Sequence, residues 1–416
     1  MTELLYRICY TIAMNLNLQI PDDLYDKLAR NNDMGAVLSP DTLVIKATDS
    51  TNTYQNTTIR WTLLPALMSG LVAWLIFAMN RIRLVPLVSD TFSISEVGAF
   101  LGVISGLISF IVTLTFSKGI SSFSTGRLTR IRNFITLTTA HTILLYAFYS
   151  LFFYVIDFAF IGAQFDAFTA SWLILIIVAI GNYSMIYSAL SLTFARITTI
   201  FSLTTIGGLF LSMITNTNPN WWQINFSFLG TQNAGNKWQF NMTLIFSAFL
   251  MLTLTDYIFG DIIDKNKLSK QLYTKLTILR VLFSLICLSL GLIGTFENVA
   301  NSWLHTAHNF AAKSMVVLML VIILLQKYLV PNISKEFLIL SYTFAGSMVA
   351  LIVLFMGVHY ISLTAFEILG YGLGFTWLIL CLQNLKQTLT PPTTYAITFT
   401  GDKHIVIVKK TNDALG

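Results

Sequence analysis

Side chains that could do chemistry are few in this sequence, and several lie near the ends of apolar segments. Glu367 is followed by Gly370, Tyr371 and Gly374, so all four share one face of a helix. An ionisable group in an apolar segment is costly and is usually retained for function. We predict that Glu367 and Tyr371 belong to a binding site and that the glycines allow close helix packing. A glutamate that only forms a hydrogen bond near the membrane interface is the alternative.

Histidines precede a second apolar segment on what we expect to be the same membrane face. His305 and His308 lie one helical turn apart, and Glu297 and His359 lie in nearby loops. Three histidines and a carboxylate could bind zinc, but scattered interfacial histidines usually only form hydrogen bonds, so we predict no metal. A proton-sensitive pair of His308 and Glu367 is a further interpretation. The predicted substrate-binding set is Glu367, His308, His305 and Tyr371, with no catalytic residue assigned.

Three polar residues lie deeper in apolar segments. His141 and Asn182 fall at similar depth in neighbouring segments, so we expect a hydrogen bond between them, with a substrate path as the alternative. Asp256 lies near a segment end, where its carboxylate could reach the interface. The sequence lacks a glycine-rich phosphate loop, a G-x-S-x-G motif and an H-E-x-x-H motif. Whether the protein is an enzyme stays open, and we predict no cofactor.

The elements that carry these residues must be membrane-spanning helices. Of the 416 residues, 55% are hydrophobic and only 11% are charged, against about 25% charged residues in soluble domains. Continuous apolar runs, without two-residue alternation, exclude a β-barrel. We predict an all-α polytopic membrane protein with ten spans, each about 20 residues long. The predicted spans are 61–80, 95–116, 134–157, 168–190, 197–215, 240–260, 276–296, 311–330, 337–356 and 362–384.

Positive charge predicts the orientation. Basic residues concentrate in the loops after the even-numbered spans, as cytoplasmic loops require. Arg81 and Arg83, in the loop after the first span, are the exception and leave a re-entrant first hairpin open. We expect both termini in the cytoplasm of a cell, most simply a bacterial one. The net charge of +6 then reflects loops that face anionic lipid, and we predict no nucleic-acid partner.

The chain divides into four predicted parts: an N-terminal segment 1–60, a four-span region 61–196, a six-span region 197–384 and a tail 385–416. The first part contains an expected helix over 21–29 and the strand-like LVIKAT (43–48). In the tail, two alternating segments flank 401–403 and predict a hairpin. Because an isolated hairpin is marginally stable, we expect LVIKAT to join it in a small cytoplasmic sheet.

Residues from about 197 to 384 resemble the Frag/DRAM-like superfamily of six-span membrane proteins, in its bacterial branch of unknown function. The resemblance rests on FSFLGTQNAGNKWQFN (226–241) with its S-x-L-G core, on LHTAHNFAAK (304–313) and on AFEILGYGLG (365–374). Phe228 departs from the pattern, since members often carry an acidic residue after that serine. The resemblance implies a six-helix membrane domain with a role in lipid remodelling or sensing.

Three functions follow from these features. We favour a permease-like or lipid-handling protein that binds a lipid or small amphiphile at the outer leaflet. A proton-coupled secondary transporter is the second, and its site should lie near the membrane midplane. A non-catalytic sensor or scaffold is the third. The sequence leaves the oligomeric state open.

Overall fold

The computed structural model describes residues 17–19, 34–39, 42–47, 51–89, 91–117, 126–265, 269–299, 301–389, 395–400 and 404–409. Within these residues, ten helices are long and apolar enough to cross a membrane. They are α1 Thr51–Met79, α2 Ile94–Phe116, α3 Arg127–Ala159, α4 Ala167–Leu190, α5 Phe194–Ile214, α6 Lys237–Lys265, α7 Lys270–Thr295, α8 Trp303–Leu329, α9 Lys335–Ile352 and α10 Leu363–Leu389. The predicted all-α polytopic fold is confirmed.

Polar residues cap the first turns of several helices. These helices therefore begin before the apolar spans that were predicted for them. The hydroxyls of Ser302 and Ser334 accept a hydrogen bond from a backbone N–H in the first turn of α8 and α9. Asp166 does the same for α4, and its hydrogen bonds with Thr169 lower the pKa of its carboxyl. Helix α8 therefore starts at Trp303, well before the apolar window, and carries both histidines.

The first four spans form one packed group. Helix α2 lies against both α3 and α4, and Gly102 and Gly181 make room for the buried ring of Tyr149, which a Cβ at either position would overlap. The loop after α1 forms strand β4 (Leu84–Pro86), which pairs with β5 (Gln164–Asp166). The loop after α1 and the loop after α3 thus lie on the same face of the bundle.

The expected bond between His141 and Asn182 is wrong, although both residues do link helices. His141 Nε2 lies 2.8 Å from Ser188 Oγ, and its Nδ1 lies 2.7 Å from the Leu137 carbonyl oxygen. Asn182 instead donates to Ser105 Oγ at 2.8 Å. A serine hydroxyl can both donate and accept, so each of the two side chains bonds a serine on a neighbouring helix.

Asp256 is buried, which corrects the expectation that it reaches the interface. Its side chain on α6 forms ion pairs with Arg132 on α3 and Arg280 on α7, the latter at 3.0 Å. Asn133 Nδ2 donates to the same carboxylate at 3.2 Å. Helix α6, the most buried of the ten spans, also packs against α5 and α10. The ion pairs therefore tie α3 to the later helices.

The chain divides into two compact units, 1–57 with 391–416 and 58–390, and the second holds the ten apolar helices. In the first unit, the tail hairpin forms as predicted, from β6 (Tyr395–Thr400) and β7 (His404–Lys409). Its third strand is β1 (Asn17–Gln19), parallel to β7. The LVIKAT strand, β3 (Thr42–Ala47), pairs instead with β2 (Met34–Ser39), so its expected place in the tail sheet is wrong. The helix expected over 21–29 lies outside the described residues.

Candidate functional site

Helices α5 to α10 enclose a cavity of about 180 Å³, entirely within the six-span region. One end of it carries Ser227, His308, Asn309, Glu367 and Tyr371. The remaining walls are made of phenylalanine, leucine, isoleucine, valine and methionine side chains, with two glycines and an alanine. The walls extend along α10 from Phe366 to Leu378, a rise of about 18 Å. The cavity is therefore amphipathic, with its polar end near one face of the bundle. We call that face, where 215–236, 296–302 and 358–362 connect the helices, the site face.

A short 3-10 helix, Phe226–Gly230, presents Ser227 to this cavity. Glu367 holds its N-terminus: Oε2 accepts the backbone N–H of Phe226 at 2.5 Å and of Ser227 at 3.3 Å. The other oxygen, Oε1, lies 3.2 Å from Ser227 Oγ. Unpaired N–H groups at a helix start favour a carboxylate partner. Glu367 thus fixes both the backbone and the hydroxyl of Ser227.

His308 contacts the same hydroxyl from the other side. Its Nε2 lies 3.2 Å from Ser227 Oγ, and its Nδ1 lies 2.7 Å from the Phe296 carbonyl oxygen. A carbonyl oxygen only accepts, so Nδ1 must carry a hydrogen. In the neutral ring Nε2 is then the free base, directed at the serine. Only 4% of His308 is exposed, so protein groups, not solvent, fix the tautomer.

Proton counting shows that Glu367, Ser227 and His308 act as one unit. These three side chains make two contacts, Oε1 to Oγ and Oγ to Nε2, and each contact needs one hydrogen atom to be a hydrogen bond. Ser227 supplies one, and the other comes either from Glu367 as a carboxylic acid or from His308 as an imidazolium. The two arrangements hold the same number of protons, and shifting both shared hydrogens converts one into the other. Loss of one proton breaks one of the two bonds.

Tyr371 supplies an unsatisfied donor at the same end. Its hydroxyl is buried, lines the cavity region and has no hydrogen-bond partner within the described residues. A buried hydroxyl without a partner costs about 1–3 kcal/mol. A polar atom of a bound molecule would remove that cost.

Gly370 and Gly374 line the cavity and do not bring two backbones together. A Cβ at Gly370 would meet only Met348 Sδ, at 3.9 Å, and one at Gly374 only the Met319 side chain, at 3.2 Å. The expected close helix packing is therefore wrong here. Gly294 provides it, since its Cβ would lie 2.6 Å from the Asn241 carbonyl oxygen. The small residues of α10 instead create space.

The structure brings three of the four predicted binding residues onto one cavity: Glu367, His308 and Tyr371. His305 lies outside the lining, with Nδ1 2.5 Å from Asn298 Oδ1 and Nε2 2.9 Å from Asn309 Nδ2. The role of these residues in binding a substrate stays a prediction. Glu297 pairs with Lys237. Within the described residues no group of three His, Cys, Asp or Glu side chains could hold a metal ion.

Ser227 is the member of the site that reasoning from side-chain type missed. It belongs to the S-x-L-G core of the family resemblance, but serines are common, and only the fold places this one between a histidine and a glutamate. Comparison with protein-family models, with curated proteins and with solved structures finds no match for this chain. The resemblance to the Frag/DRAM-like superfamily therefore stays a prediction, and the site has to be interpreted from its own geometry.

Proposed function

We propose that this multi-pass membrane protein binds a neutral, single-chain amphiphile in the cavity of α5–α10 and handles it at the outer leaflet. The acyl chain would lie against the apolar walls of the cavity. An ester, amide or hydroxyl group would lie against Ser227, His308 and Tyr371. The observation that supports this most directly is the amphipathic cavity with an unpartnered Tyr371 hydroxyl at its polar end.

The size of the cavity favours one chain. An apolar cavity of about 150 Å³ accommodates benzene, and ligand pockets of drug-like molecules start near 300 Å³. A cavity of 180 Å³ lies between these values, so it suits part of one hydrocarbon chain and is too small for a whole two-chain lipid. Its walls follow α10 for about 18 Å, as an extended chain requires.

The charges at the polar end favour a neutral head group. The lining contains the Glu367 carboxyl but neither Lys nor Arg. A phosphate or carboxylate there would be buried without a cationic partner, which costs several kcal/mol. Hydroxyl, ester and amide groups can accept from Tyr371 and exchange hydrogen bonds with Ser227 and Asn309. Neutral amphiphiles should therefore bind better than fatty acids of the same chain length.

Basic residues support the outer leaflet as the location. The end of the bundle opposite the site face carries Arg127, Arg130, Arg132, Arg196, Lys270, Lys275, Lys327, Lys335 and Lys386. The site face and the helix turns next to it carry Arg81, Arg83 and Lys237, and Lys313 lies farther along α8, near its middle. The positive-inside rule then places the opposite end in the cytoplasm and the site face outside. Both soluble segments would be cytoplasmic.

Binding of monoacylglycerol to the purified protein in detergent tests this proposal, with a fatty acid of equal chain length as the comparison. Native mass spectrometry and ligand-induced thermal stabilisation provide the readouts. Gly370→Leu should fill the cavity and weaken monoacylglycerol binding at least about tenfold. Gly372→Leu is the matched control, because no side chain lies near Gly372, and binding should be unchanged.

Equal binding by wild type and Gly370→Leu would contradict the location of the site. Stronger binding of the fatty acid than of the monoacylglycerol would contradict the neutral head group. If neither amphiphile bound, the proposed function would be contradicted.

A proton-coupled transporter is the second candidate, and one observation favours it: the Glu367–Ser227–His308 chain can pass a proton between two ionisable groups. Its position argues the other way. Glu367 and His308 lie in the first two turns of α10 and α8, about 12–14 Å from the middle of each helix. Transporter sites usually lie near the midplane. Proton-driven uptake in vesicles that fails in Glu367→Gln would favour the transporter.

A further inference from the structure

We infer that Ser227 is the nucleophile of an acyl-transfer reaction on the bound amphiphile, with His308 as its general base and Tyr371 as the oxyanion donor. The inference rests on the proposed binding function and adds a reaction and a substrate class, a neutral carboxylic ester. Three groups at the same end of the cavity support this inference: a hydroxyl, a base and a hydrogen-bond donor that has no partner within the described residues.

Nucleophile and base have the required geometry. General-base catalysis needs the base within about 2.6–3.2 Å of the hydroxyl oxygen, and His308 Nε2 lies 3.2 Å from Ser227 Oγ. A third group must orient the base. The Phe296 carbonyl does so, because it accepts from Nδ1 at 2.7 Å and leaves Nε2 as the free base.

Glu367 is the positioning residue of this site. It anchors the backbone N–H groups of Phe226 and Ser227, which keeps the hydroxyl next to His308. When Glu367 is the carboxylic acid, it donates to Ser227 Oγ, and the serine donates to Nε2. One lone pair of Oγ then remains for attack. The other charged or titratable groups near His308 are His305 on the same helix, with Lys237 and Glu297 paired nearby.

The reaction balances without an oxidant or reductant. Ser227 Oγ bonds to the ester carbonyl carbon while its proton passes to His308 Nε2, and the carbonyl oxygen becomes an oxyanion that accepts from Tyr371. The bond from carbon to the alcohol oxygen then breaks, and that oxygen takes the proton from Nε2. Water, or a second alcohol, attacks the acyl-serine and gives its proton to Nε2. The serine regains a proton as the free acid or new ester leaves.

A fluorophosphonate with a long alkyl chain tests the inference, since an activated serine displaces its fluoride and becomes covalently labelled. Intact-mass measurement and peptide mapping of the wild-type protein should place the adduct on Ser227. Labelling should be absent in Ser227→Ala. It should be at least about 100-fold slower in His308→Ala and in Tyr371→Phe. His359→Asn is the matched histidine control, since His359 is exposed and has a positive φ that asparagine tolerates; its labelling rate should equal that of wild type.

The pH dependence of labelling separates catalysis from mere packing. In the wild type, the rate should rise as His308 loses a proton, and this rise should disappear in His308→Ala. An adduct on any other residue, or no adduct, would overturn the inference. If monoacylglycerol still binds and Gly370→Leu still blocks that binding, the assignment of Ser227 as a nucleophile is wrong while the proposed binding function stands. If monoacylglycerol does not bind, the binding proposal has failed as well.

Discussion

At the scale of single residues, buried polar groups form the candidate site and link the helices. Glu367 satisfies two backbone N–H groups and one hydroxyl at once, so it holds the Ser227 segment as well as the proton chain. The sequence pointed to Glu367 because ionisable side chains are rare in apolar spans, and to His308 because it precedes an apolar span on the face expected for Glu367. Ser227 was missed and Asp256 was wrongly expected at the interface, because their partners come from distant helices and spacing along one helix does not encode such contacts.

Glu367→Ala should lower the free energy of unfolding by about 2–4 kcal/mol, because it leaves the N–H groups of Phe226 and Ser227 unpaired. Glu297→Ala removes the partly exposed partner of Lys237 and should cost less than about 1 kcal/mol. Chemical unfolding in a mild detergent compares the two. Equal losses would contradict the anchoring role of Glu367.

Asp256→Asn should destabilise the protein by about 3–5 kcal/mol, because it leaves Arg132 and Arg280 without a buried counter-charge. The side chains of both arginines are about 30% exposed, so some of their charge can be screened and the loss should fall toward the lower value. Replacing Arg280 by glutamine keeps one ion pair and should cost less. The same chemical unfolding measurement tests this prediction. An Asp256→Asn protein as stable as wild type would show that the ion pairs do not stabilise the bundle.

At the scale of elements, hydrophobicity predicted all ten helices but not their ends or their contacts. Helix α8 begins at Trp303 because Ser302 caps it, and the apolar window begins only at residue 311. The tail hairpin was predicted from alternation, yet its third strand is β1 and not the LVIKAT segment. Strand pairing at long range depends on the fold, so the local pattern could not choose between two strand-forming segments.

Close contact between α6 and α7 depends on Gly294. Gly294→Ala should destabilise the protein by about 1–3 kcal/mol, because its Cβ would lie 2.6 Å from the Asn241 carbonyl oxygen and the two helices must move apart. Gly207→Ala in α5 is the matched control, since nothing lies near that position; it should be neutral or stabilise slightly. Thermal unfolding of both variants provides the measurement. A Gly294→Ala protein as stable as wild type would show that this contact is loose.

At the scale of the whole molecule, ten spans put the site face and the basic end on opposite sides of a membrane. In a Cys9→Ser background, Asn220→Cys on the site face should react with a membrane-impermeant maleimide in intact cells. Glu336→Cys at the basic end should react only after permeabilisation. Both positions are exposed, whereas Cys287 and Cys381 are buried. The reverse pattern would place the site in the cytoplasm.

The central claim is that one acyl chain lies between α8 and α10 with its polar group at Ser227. Photolabelling with a monoacylglycerol that carries a diazirine near the end of its chain tests it most directly. We expect adducts on deep cavity residues such as Met319 and Leu378, abolished by Gly370→Leu and retained in Gly372→Leu. Adducts confined to exposed, lipid-facing residues, and equal in both variants, would contradict the account.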